Sequence, residues 1–191
     1  MGRPRGFDIA EALDRALEVF WRHGYEGTTI PDLTSAMKIN RPSLYAAFGN
    51  KEALFRKVVE HYLARSSGPV EEALARPTAR EVAEALLRST VEMLTLPDRP
   101  GGCLLVQGAL ACSAESECLK QELARWRGRL ESAIRERLDR AVEAGELRGN
   151  AATLARFLAT VMQGMSVQRA GGAGRDELMG VAEMALRAWP T

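Results

Sequence analysis

Residues 28–56, TTIPDLTSAMKINRPSLYAAFGNKEALFR, pack three helix starts and two stops into one short stretch. Thr29 is placed to cap a first helix, and Asp32, three residues on, can bond back to it. Pro31 falls in the first turn, where backbone N–H groups lack partners anyway. Ile30, Leu33, Ala36 and Met37 give this helix one apolar side. After the turn at Lys38 and Ile39, Asn40 can cap a second helix from Arg41 to about Phe48, again with a proline, Pro42, in its first turn. Gly49 can stop it, and Asn50 can cap the next. A helix of about two turns does not persist alone in water. Bracing one between neighbours serves to present its outer side chains to a groove, which is the logic of a helix-turn-helix.

The remainder also carries helical periodicity, and no segment alternates as a strand. A first helix is expected from about Asp8 to His23, with Ile9, Leu13, Ala16, Leu17, Phe20 and Trp21 as its buried stripe and Gly24 as its stop. The helix after Asn50 runs through Val58, Val59, Tyr62 and Leu63 until Ser66-Ser67-Gly68-Pro69 breaks or kinks it, which sets a domain boundary between 1–66 and 67–191. Thr78 and Glu81 form a capping box, and the helix they open extends to Pro97. Residues 103–112 are apolar almost all round, as in a helix surrounded by protein. A long amphipathic helix follows, from Leu119 to Val142, with Glu131–Arg135 and Glu136–Arg140 as i,i+4 pairs, and Gly145 ends it. Asn150 caps a helix carrying Leu154, Phe157, Leu158, Val161, Met162 and Met165. The last helix, from about Asp176, is apolar on two sides, with Met179, Met184 and Ala188 opposite Leu178, Val181 and Ala182. Two apolar sides need two partners, and in so short a chain the second is a second subunit. The expected fold is all-α, with about nine helices in an N-terminal three-helix DNA-binding domain and a C-terminal ligand-binding and dimerisation domain.

Composition narrows the class without naming the partner. The net charge is +1; residues 1–66 hold ten Lys/Arg against eight Asp/Glu, so overall charge does not advertise a nucleic-acid binder. Placement matters more, because Arg3, Arg5, Lys38, Arg41 and Lys51 all lie in the amino-terminal arm or around the tight turns. No apolar run reaches membrane-spanning length, and charges interrupt the apolar pattern of the first residues, so neither a membrane span nor a signal peptide is expected. Cys103, Cys112 and Cys118 form no disulfide framework and read as reduced thiols of a cytoplasmic protein.

Thr28-Thr29, Ile39-Asn40-Arg41-Pro42-Ser43-Leu44-Tyr45, Phe48 and Lys51-Glu52-Ala53-Leu54-Phe55, preceded by Phe20, Gly24 and Tyr25, resemble the DNA-binding signature of TetR/AcrR-type transcriptional regulators. The resemblance is specific over residues 8 to about 60 and elsewhere extends to the helical layout. It departs at Lys38, where the family commonly has Gly; a positive φ there strains Lys38, which can also add a phosphate contact. The resemblance implies a homodimer, joined through the last two helices, on a near-palindromic double-stranded DNA operator. It is most often a repressor released by a small-molecule or reactive-electrophile effector. Asn40 and Arg41 are placed to read base edges, with Pro42 and Ser43 touching bases or thymine methyls. By the resemblance, Thr29, Tyr45 and Lys51 bind phosphates. Each has a structural alternative: Asn40 as a cap, Tyr45 as packing, Lys51 as a solvated charge.

An effector pocket in the second part draws on Met93, Leu96, Leu105, Trp126, Phe157, Met162 and Met165, with Gln107 and Gln163 as polar groups on otherwise apolar helices. Core packing is the alternative for each. Gly102-Cys103-Leu104 resembles a short motif of TetR-type regulators that sense electrophiles or oxidants, so Cys103 is either a reactive sensor or a core residue. No cofactor is implied and no enzyme is expected. His23 and His61 read as lacking a nucleophile or carboxylate around them, and no phosphate loop or metal-ligand cluster occurs. The competing reading is a helical protein-interaction scaffold without DNA binding.

Overall fold

The computed structural model describes residues 7–97, 99–110 and 116–190. Among them are nine helices and no strand: α1 (Ile9–Gly27), α2 (Ile30–Met37), α3 (Arg41–Phe48), α4 (Lys51–Leu74), α5 (Ala79–Leu94), α6 (Leu104–Leu110), α7 (Glu117–Glu143), α8 (Ala151–Ala170) and α9 (Arg175–Arg187). None is long and apolar enough to cross a membrane.

The caps read from sequence set the helix starts. Thr29 and Asp32 form a reciprocal box, as do Thr78 and Glu81. Asn40, Asn50 and Asn150 accept from the backbone N–H groups of Ser43, Ala53 and Thr153. The first helix breaks at Gly24 as expected, but the break is not its end. Gly24 leaves helical geometry at φ 68° and ψ 177°, yet the chain resumes a further helical turn to Gly27. Thr28, buried, donates its hydroxyl to the Gly24 carbonyl at 2.7 Å and holds this kink.

Two further corrections follow from packing. Helix α4 does not end at residues 66–69 but runs on to Leu74 with Pro69 inside it. The hydroxyls of Ser66 and Ser67 bond the carbonyls of Tyr62 and Ala64, while Val70, Ala73 and Leu74 pack into the carboxyl-terminal core, so tertiary contacts outweigh the proline. Neither expected pair on α7 forms among the described residues. Glu131 reaches across to Arg156 of α8 at 2.9 Å, and Arg135 pairs with Asp139 at 3.4 Å.

Among the described residues there are two apolar cores, and α7 serves both. One joins α1 to α4 with Leu104 and Leu105 of α6 and Leu119 and Leu123 of α7. Edge contacts between aromatic rings order it, with Phe20 against Phe55 and Trp21 against Tyr62, centroids 5.0 and 5.1 Å apart. The other gathers α5, α8 and α9 around Ile134 and Leu138 of α7. The amino-terminal helices thus complete their core with α6 and the start of α7.

Candidate nucleic-acid interface

Helix α3 is anchored by Leu44 and Phe48, fully or nearly fully buried, and α2 by Leu33 and Met37. These anchors turn Asn40, Arg41, Pro42 and Tyr45 outward; all four are exposed, Tyr45 at 46%, and Ser43 is half-buried. Asn40 Oδ1 accepts from Ser43 N at 2.9 Å, which leaves its amide N–H₂ group at the surface. Capping and base reading are therefore compatible in one side chain.

The turn between α2 and α3 depends on Lys38, which adopts φ 55° and ψ 40°, the left-handed region that favours glycine. Its N–H bonds Ser35 O at 3.3 Å, and the N–H of Ile39 bonds Thr34 O at 3.1 Å. The side chain of Lys38 is exposed beside α3.

The remaining residues divide. Thr29 is exposed, but its hydroxyl donates to Asp32 Oδ2 at 2.6 Å and accepts from Asp32 N, so the cap occupies it. Lys51 opens α4 half-buried, its Nζ 4.5 Å from the centre of the Tyr25 ring. Burial lowers the Lys51 pKa, and the charge of Glu26 opposes that shift. Arg3 and Arg5 lie outside the described residues.

Periodicity gave no sign of how this surface is tied to the rest. Arg56 of α4 holds Glu122 of α7 through Nε at 2.8 Å and Glu52 at 2.5 Å. His61 does have a carboxylate: Asp14 Oδ1 lies 2.8 Å from His61 Nε2 and also takes Arg65. Partners 47 to 66 residues apart leave no local sequence signal.

The expected effector residues do not converge on one cavity. Leu105, Cys103 and Trp126 belong to the first core, whereas Phe157, Met162 and Met165 belong to the second, because the two halves of α7 face different cores. Met93 is half-buried, Leu96 is 41% exposed, and Gln107 has a buried Oε1 without a partner. Trp126 lines a cavity of about 300 Å³ between α4 and α7, and Gln163 lines one of about 270 Å³ over α6, α7 and α8. Cys103 is half-buried before α6, and its Sγ accepts from the Tyr62 hydroxyl at 3.5 Å. Burial, then the neighbouring Cys103, hold the Tyr62 phenol well above its ordinary range, so it remains a donor. Cys118 is exposed, and Cys112 lies outside the described residues.

A braced two-turn helix with outward Arg, Asn and Tyr, on an all-α body, defines a helix-turn-helix regulator that binds DNA. The family model described as "Bacterial regulatory proteins, tetR family" matches residues 12–58, and "Tetracyclin repressor-like, C-terminal domain" matches residues 79–183. The chain belongs to the tetR family of bacterial regulatory proteins. It is 34% identical over 194 residues to the HTH-type transcriptional repressor ComR of Escherichia coli (strain K12), covering 99% of this chain and 92% of ComR. Among solved structures, it is 46% identical to a cysteine mutant of the TetR family regulator CifR complexed with 26bp double-strand operator DNA. That match has a TM-score of 0.94 and covers 98% of this chain and 100% of the other. A TetR regulator from Rhodococcus sp. RHA1 is 40% identical with a TM-score of 0.63, covering 94% and 97%.

Proposed function

We propose that this protein is a homodimeric transcriptional repressor that grips a near-palindromic operator and releases it when an effector binds. The observation that carries the reading is the outward set on α3, where Asn40, Arg41, Pro42 and Tyr45 are exposed over the buried Leu44 and Phe48. Arg41 and Asn40 read base edges in the major groove, while Pro42 and Ser43 touch neighbouring bases. Tyr45, Lys38 and Lys51 meet phosphates; Thr29 contributes through its exposed position at the start of α2. The structure of CifR with operator DNA supports the same partner for this chain. Residues 1–66 carry the DNA contacts and 67–191 the effector and dimer functions. The dimer face combines α8 and α9, where Val167, Val181 and Met184 are 45%, 45% and 60% exposed. The protein acts in the cytoplasm.

The effector is a small molecule or a reactive electrophile, the latter through Cys103. A thiol-reactive quinone should release operator from the wild type and not from Cys103→Ser; release that survives the substitution moves the sensor elsewhere. The DNA reading is tested by selecting genomic fragments at low salt. Retained fragments should share a near-palindrome and be lost steeply as salt rises. Indiscriminate retention would contradict it.

A further inference from the structure

Helix α3 is held in one rotation about its own axis. Leu44 and Phe48 are buried on its inner side, and the Phe48 ring packs against that of Phe7 with centroids 6.2 Å apart. Lys57 Nζ of α4 bonds the Ala47 carbonyl at 3.4 Å. With that rotation set, a turn of about 100° per residue puts Ala46 directly opposite the two anchors and Pro42 about 40° from it. Both are exposed. Arg41 and Tyr45 lie round one side of this line, and Ser43 and Ala47 round the other. The middle of the outward face therefore carries a pyrrolidine ring and a methyl group, neither with a side-chain donor or acceptor, and α3 contains no carboxylate.

We propose that Ala46, together with Pro42, selects a thymine in each half of the operator by packing against its 5-methyl group. The inference rests on the repressor reading and adds to it the identity of a base. In the major groove adenine, guanine and cytosine present only hydrogen-bonding groups, whereas thymine also presents an apolar one, its methyl. A surface that neither donates nor accepts gains contact area from that methyl. Against the other bases it leaves a polar edge shut away from water without a partner, which is costly. Ala46 is also short, so α3 can lie close to the base edges while Arg41 and Asn40 reach their hydrogen bonds beside it. Ala46 thus acts by shape, where its neighbours act by hydrogen bonding.

The test takes the operator duplex that the full chain selects from a randomised library and replaces each dT by dU in turn, which removes the methyl and keeps the base pair. Affinity is read by fluorescence anisotropy. One thymine in each half-site should respond, its substitution weakening binding by roughly fourfold, the worth of one buried methyl. Ala46→Gly should bring the dT and dU duplexes to equal affinity at that position and leave any other methyl dependence as it was. Glycine weakens a helix interior, so Ala46→Ser supplies the second variant; its hydroxyl set against the methyl should also carry the ratio toward one. Affinity indifferent to dU at every position overturns the inference, as does a methyl dependence that both Ala46 variants retain. A chain that selects no sequence at all sinks the repressor reading, and this inference with it. One that selects an operator but ignores its thymine methyls sinks this inference alone.

Discussion

Lys38 is where the chain sacrifices local comfort, in the turn between α2 and α3. A lysine at φ 55° bears a steric cost that glycine avoids. Lys38→Gly should therefore stabilise the folded protein, by about 1 kcal/mol, read as a higher denaturation midpoint. If the lysine is kept for a phosphate, the same variant should bind operator more weakly with a shallower salt dependence. A gain in stability with DNA binding untouched would remove Lys38 from the interface. Asp14 carries a different kind of residue-level prediction. Burial raises its pKa, but the His61 hydrogen bond and the Arg65 charge outweigh burial, and the carboxyl titrates below its ordinary range. The stabilisation this gives is fully present above the unfolded pKa of about 4 and is lost as pH falls through the lower folded value. Asp14→Asn should flatten the acid limb of the stability–pH curve below about pH 4; an unchanged limb would contradict the assignment.

Between elements, the Arg56–Glu122 contact fastens α4, which follows α3, to α7, which enters both cores. Both side chains are partly exposed, so the pair is modest in energy. A double-mutant cycle of Arg56→Ala and Glu122→Ala should give a coupling of about 0.5–1 kcal/mol in stability. Zero coupling would make the contact incidental. Links of this kind were not legible in the sequence, whereas local chemistry was. The bounds of α2 and α3 follow from Thr29, Asn40, the two prolines and Gly49, all of which act within a few residues. Helix α4 shows the opposite case. Ser66-Ser67-Gly68-Pro69 carries the composition of a break, yet burial of Ala73 against distant helices carries the helix through. Spacing likewise suggested gathering Trp126 with Phe157 and Met165, since one sequence cannot say which core each half of α7 faces.

For the whole molecule, the face of α8 and α9 matters because the proposed dimer has to present two α3 helices at one spacing. Met184, 60% exposed on α9, offers a clean probe. Met184→Glu should leave the monomer folded but shift it from dimer to monomer in sedimentation, with operator affinity falling in step. A dimer indifferent to that charge would place the interface elsewhere. The exposed side of α9 was only partly foreseeable: Met184 and Ala188 face outward as their spacing suggests, whereas Met179 packs on the carboxyl-terminal core and Val181, expected inside, is exposed. The account's central claim is that α3 reads DNA, and base-resolved selection from a randomised operator library by the wild type and Arg41→Ala tests it most directly. The account predicts two symmetry-related positions, about one helical turn or a multiple apart, at which the preference of the wild type relaxes in the variant while flanking positions keep theirs. An identical selected sequence from both proteins would contradict it.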